Sequence, residues 1–119
     1  MRFIFILFVF LLLTSCSDKI NQKEEDISKY DYLQPFLLEN ATFIDGELDI
    51  DNNTLQYSYK VTNTKGEFDK IQKKAILNGW HYNKGTFSKY VNIYQNSGEN
   101  IIVKITEFNN KITFEVESE

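Results

Sequence analysis

The chain is poor in the residue types that most catalytic and redox chemistry draws on. Its 119 residues include one cysteine, one histidine, one proline and five glycines. A single cysteine excludes an internal disulfide. A single histidine, His81, has no second histidine or free cysteine to join it in a metal site or an acid–base dyad. Scarce glycine and proline exclude a collagen-like or low-complexity chain. No GxSxG, HExxH or P-loop signature occurs, and no strand–helix–strand unit carries a glycine-rich phosphate loop. Basic residues are outnumbered, 13 to 17, and the formal charge is −4. That balance argues against a non-specific hold on nucleic acid or anionic lipid. The length excludes a multidomain enzyme or a repeat array and fits one domain.

The amino terminus is distinctive. Met1-Arg2 supplies one positive charge, and Phe3 to Leu13 is an unbroken apolar run of eleven residues. A bilayer-spanning helix needs about 20. A basic start, a short apolar core and small residues thereafter form the pattern of a secretory signal peptide. Leu13-Thr14-Ser15-Cys16 then resembles the lipobox of bacterial lipoproteins, an aliphatic residue and two small residues before cysteine. The resemblance covers residues 1–16 and includes the only cysteine. It implies cleavage before Cys16, diacylation of the Cys16 sulfur and a membrane tether through that lipid. Ser17 after the cysteine is similar to the pattern of enterobacterial outer-membrane lipoproteins, which favours the periplasmic face of the outer membrane in the bacterial cell envelope. Loss of residues 1–15 from the 119 leaves 104 and takes the formal charge from −4 to −5.

Three regions are expected: the signal peptide over 1–15, lipidated Cys16 with a flexible tether over 16–28, and one small α+β domain over 29–119. The stretch SDKINQKEEDIS, residues 17–28, is too polar to offset its own ordering entropy. Apolar residues Ile27, Tyr30, Leu33, Leu37, Leu38 and Ala41 follow a helical spacing with Pro35 inside it, so one short helix is expected before Pro35 and a second turn or two starting at it. Phe43, Leu48 and Ile50 are possible strand positions before a turn at Asp51 to Asn53. Leu55, Tyr57, Tyr59 and Val61 then alternate strictly with polar residues, as in a half-buried strand. Thr64-Lys65-Gly66-Glu67 has the capping-box form, and Phe68, Ile71, Ala75 and Ile76 share a face of the helix that follows. Gly79 ends that helix.

The last third reads as a three-stranded meander. A turn at Asn109-Asn110 pairs Phe108 with Lys111, Ile105 with Phe114 and Val103 with Val116. A turn over Asn96 to Asn100 pairs Ile93 with Val103, Val91 with Ile105 and Lys89 with Glu107. The expected fold class is α+β: an antiparallel sheet, made of a hairpin and the meander, packed by one main helix in the order α-β-β-α-β-β-β.

Few constellations carry chemistry. Asp49-Ile50-Asp51-Asn52-Asn53 matches the first half of a calcium loop, but Thr54 and Lys60 stand where glycine and glutamate are needed; a hairpin turn accounts for it. Asp45, Glu47, Asp49 and Asp51 alternate and would share one strand face, either as a solvated edge or as a surface for a basic partner. Trp80-His81-Tyr82 reads as a core aromatic corner with His81 at its rim. On the sheet face opposite the expected core lie Tyr90, Tyr94, Ile102 and Phe108, either exposed as a partner surface or covered by residues 27–41. No catalytic residue, metal or cofactor is indicated. The leading expectation is a non-enzymatic, lipid-anchored protein-binding module with an envelope protein as partner. The alternatives are a small-ligand or lipid binder, with a pocket lined by Trp80, Tyr57 and Tyr59, and an immunity protein against a basic toxin.

Overall fold

A computed structural model describes residues 19–84, 91–96 and 101–118. The chain begins with strand β1 (Lys19–Asn21), a one-turn helix α1 (Glu24–Ile27) and a 3₁₀ helix (Asp31–Phe36). Strands β2 (Thr42–Asp49) and β3 (Thr54–Lys60) form a hairpin. Helix α2 (Thr64–Leu77) connects β3 to strand β4 (Trp80–Lys84), and strands β5 (Val91–Asn96), β6 (Ile101–Phe108) and β7 (Lys111–Ser118) complete the fold. All pairings are antiparallel, in the order β1-β2-β3-β7-β6-β5-β4. The fold is thus α+β with one main helix, as expected. The meander has four strands rather than three, because Trp80-His81-Tyr82 is a strand and not a corner.

The best-patterned segments fold as their patterns dictate. Leu55, Tyr57, Tyr59 and Val61 are buried. The β6–β7 register pairs Phe108 with Lys111, Ile105 with Phe114 and Val103 with Val116. Gly79 adopts φ +86, the left-handed conformation that ends α2. The N-cap of α2 lies one residue before the expected box: Asn63, whose side chain accepts from the Gly66 amide at 3.0 Å. On α2, Phe68, Ile71 and Ala75 are buried, while Ile76 points to solvent.

Three expectations are corrected. The segment from Lys19 is not tether but part of the domain: Lys19, Ile20 and Asn21 pair with Asp49, Leu48 and Glu47, and Ile27 is fully buried. One buried isoleucine, Ile27, suffices because backbone pairing of β1 with β2 supplies the rest of the attachment. Residues 27–41 do not form a short helix before Pro35 and a second starting at it; a single 3₁₀ helix runs through Pro35, and with three residues per turn Leu33 and Phe36 share its buried face. Phe36 becomes the hub of the core, with ring centroids 4.9 Å from Trp80, 5.3 Å from Tyr94 and 6.4 Å from Phe114. Finally, β5 lies one residue out of the expected register on β6. Tyr94, not Ile93, faces Val103, and Val91 faces Thr106. A one-residue slip exchanges the two faces of a strand. Tyr94 therefore enters the core at 0% exposure, while Ile93 moves to the other face opposite Lys104.

Strand β2 carries a bulge between Phe43 and Asp45. The extra residue, Ile44, reverses the alternation, so that Phe43 and Leu48, an odd number apart, both reach the core side.

Candidate functional site

The helices and the 3₁₀ segment pack on one face of the sheet. The other face presents the alternate residues of each strand, and no described element lies over it. Its chemistry follows from strand order. Strand β2 contributes Asp45, Glu47 and Asp49, and β7 contributes Thr113, Glu115 and Glu117. Between them β3 contributes Thr54, Gln56 and Ser58, all uncharged. Asp49 and Glu117 flank Thr54, and Glu47 and Glu115 flank Gln56. The neutral strand holds the acidic strands two spacings apart, about 10 Å, which limits like-charge repulsion.

The acidic surface is bounded by cations. Lys19 on β1 approaches Glu47 at 3.8 Å, an exposed pair worth little by itself. Lys104 on β6 stands directly opposite Glu115. A shallow open depression of about 540 Å³ runs over this corner, between Lys19, Glu47, Asp49, Gln56, Glu115 and Glu117. A second depression of about 280 Å³ continues it toward Asn21, Asp45, Ser58 and Lys111.

The carboxylates are not equivalent. Asp49 accepts from the Asn52 side chain at 2.8 Å and from the Asn52 amide at 3.2 Å, and these bonds hold its carboxyl below the usual range. They also close the hairpin turn, in which Asn53 takes φ 51. The Asp49–Asn53 stretch is therefore a turn whose first carboxylate is occupied, and Thr54 and Lys60 belong to β3. Glu117 is pushed up by a hydrogen bond shared with Glu115, two residues away on the same face. Among the described residues, no three His, Cys, Asp or Glu side chains gather as a metal site.

The sequence-derived candidates separate accordingly. Asp45, Glu47 and Asp49 share the open face, as alternation requires, with the register beyond the bulge setting which face it is. Asp51 lies in the turn beyond the strand. Glu115 and Glu117, which sequence reasoning missed, complete the acidic surface; their polar positions between Phe114, Val116 and Ser118 were the available signal. Of the aromatic set, Tyr94 is in the core against Phe36 and Tyr82, which corrects its assignment to a partner surface. Ile102 and Phe108 are on the open face, Ile102 half-buried and Phe108 74% exposed. Tyr90 and Lys89 lie outside the described residues, as does Cys16. Residues 27–41 cover Tyr94 on the core side and leave Ile102 and Phe108 uncovered. His81 is exposed on β4, at the opposite edge of the sheet from the β2 carboxylates.

Trp80, Tyr57 and Tyr59 are buried side chains packed against other rings. Tyr57 stacks on Phe114 at 4.7 Å, and Phe36 fills the space beside Trp80. The gap between residues 35–40 and α2 is small, about 30 Å³. No described helix is long and apolar enough to cross a membrane. No protein-family model, curated protein or solved structure matches the chain.

Proposed function

We propose that this chain is a bacterial envelope lipoprotein, anchored through Cys16, whose domain is a non-enzymatic module that binds a basic protein partner. The observation that carries the reading is the open sheet face on which Asp45, Glu47, Asp49, Glu115 and Glu117 are arrayed around an uncharged strand. An open acidic surface of this kind suits recognition of a cationic surface, through complementary potential and fast association. Phe108 and Ile102, at its margin on β6, add apolar contact area. An immunity protein neutralising a basic toxin is one form of this activity; an accessory subunit of an envelope assembly is another. The small-ligand reading has no such support, because the space it needs is occupied by Phe36, Tyr57 and Phe114.

The anchor part is tested by mass spectrometry of the purified protein, which should find Cys16 as the new amino terminus carrying diacylglycerol. The binding part is tested by a photo-crosslinker at Gln56, in the middle of the acidic surface. One cationic partner should be captured, with yield falling as salt rises and with Glu47→Lys and Glu115→Lys. Capture indifferent to salt and to both substitutions would overturn the proposal.

A further inference from the structure

The order of residues from Lys19 onward has a consequence for how the domain meets a bilayer. Cys16 and Lys19 are three residues apart, so their Cα atoms lie within about 11 Å of each other however the chain runs. Lys19 is the first residue of β1 and pairs with Asp49, the last residue of β2. The β2–β3 turn begins at the next residue. The anchored chain thus enters the domain at the corner where that turn projects.

The corner carries apolar side chains with nothing over them. Ile50, at the start of the turn, is 53% exposed, and Ile20 on β1 is 43% exposed. Ile20 pairs with Leu48, two residues before Ile50. The three form one short apolar strip along the edge nearest the anchor. The Ile50 carbonyl accepts from the Asn53 amide at 3.3 Å within the turn, but its side chain is turned out to solvent.

We propose that Ile50, with Ile20, is a bilayer contact, and that the domain stands on the β2–β3 turn with the Asn109-Asn110 turn and Phe108 at the far end. The inference rests on the lipid anchor of the proposed function. Contact is apolar and draws on the proximity that the anchor enforces, so it does not depend on net charge. Strands β2, β3 and β7 then rise away from the membrane, and the acidic face looks sideways, open to a partner moving along the same surface.

The test uses the lipidated full-length protein in vesicles of phosphatidylethanolamine and phosphatidylglycerol containing a brominated phosphatidylcholine. With Cys16 acylated, a single introduced cysteine can carry a fluorophore. Ile50→Cys and Phe108→Cys both replace exposed side chains, at opposite ends of the β3–β7–β6 pairing. The label at position 50 should be quenched at least threefold more strongly than that at 108. Equal quenching at 108, or none at 50, with diacylglycerol confirmed on Cys16, overturns this inference and leaves the anchor standing. An unmodified Cys16 overturns both.

Discussion

The phenol of Tyr59 donates to Oε2 of Glu24 at 2.6 Å, joining the centre of the sheet to a one-turn helix 35 residues earlier in the chain. Its neighbour Tyr57 donates to the Phe36 carbonyl at 2.8 Å. The two tyrosines of β3 thereby fasten both halves of the amino-terminal segment to the core. A helix of four residues has no stability of its own, so α1 exists because Ile27 is buried and Glu24 is held. Tyr59→Phe should cost about 1 kcal/mol, the net worth of one hydrogen bond. Glu24→Gln keeps an acceptor and should cost less. Urea unfolding measures both. Amide exchange of Ser28, which donates to the Glu24 carbonyl at 2.9 Å, should quicken in Tyr59→Phe while amides of β6 and β7 slow or hold. Equal acceleration throughout the sheet would show that the bond supports the whole fold rather than α1.

The same tyrosines set the response to alkali. Burial raises Tyr57 well above the ordinary value of 10, and burial together with the bond to Glu24 raises Tyr59. The folded chain keeps both protons at pH values where the unfolded chain has released them. Stability is therefore complete below about pH 10 and declines as pH rises beyond it. The urea midpoint should fall between pH 10 and 11.5, and the fall should be shallower in Tyr59→Phe, which has one fewer raised phenol. A midpoint that is flat over this range would contradict the burial of both hydroxyls.

What was legible in the sequence depended on whether periodicity had one solution. Leu55 to Val61 alternates with polar residues only, and Asn109-Asn110, both at positive φ, fixes the β6–β7 pairing; both were read correctly. In β5 the positions before and after each other, Ile93 and Tyr94, are both large and apolar, so two registers a residue apart offer equally apolar faces. The choice falls to packing, where Phe36 and Tyr82 take Tyr94 between them. Phe36 was itself missed because α-helical spacing from Leu33 selects Leu37, and only a 3₁₀ turn selects Phe36. The segment 19–28 looked like a tether because its docking is made by backbone pairing and one isoleucine, neither of which leaves a compositional trace. Half of the acidic face was visible as the alternation in β2. Its other half, in β7, came beside it only through the long-range pairing of β3 with β7.

Gly46 tests how the amino-terminal segment seats. It lies in β2 opposite Tyr57, and its carbonyl accepts from the Gln22 amide at 2.8 Å. A Cβ there would come 2.8 Å from the Gln22 carbonyl oxygen and 3.1 Å from Cδ1 of Ile27. The first contact is with backbone and cannot be relieved by a rotamer change. Gly46→Ala should cost about 1–3 kcal/mol, as overpacking does, and should expose the Gln22–Lys23 region to limited proteolysis. An alanine variant as stable and as protease-resistant as the parent would mean that residues 19–27 do not lie on the sheet at this point.

The β5 register can be decided by two substitutions on adjacent residues. Tyr94 is fully buried against Phe36 and Tyr82, whereas Ile93 is half-buried on the open face opposite Lys104. Truncating a buried aromatic leaves a cavity as well as losing transfer free energy, so Tyr94→Ala should cost about 3–5 kcal/mol. Ile93→Ala removes a side chain that water already reaches and should cost about 1 kcal/mol. The register with Ile93 against Val103 predicts the opposite order, with Ile93 in the core and Tyr94 dispensable. The comparison also bears on binding. In the observed register Tyr94 is no part of any outward surface, and loss of partner capture in Tyr94→Ala should track its loss of folding. Phe108→Ala, on an exposed residue, should leave the unfolding midpoint unchanged while weakening capture. If Phe108→Ala captures as well as the parent, the β6 margin lies outside the interface and the carboxylates of β2 and β7 carry the recognition alone.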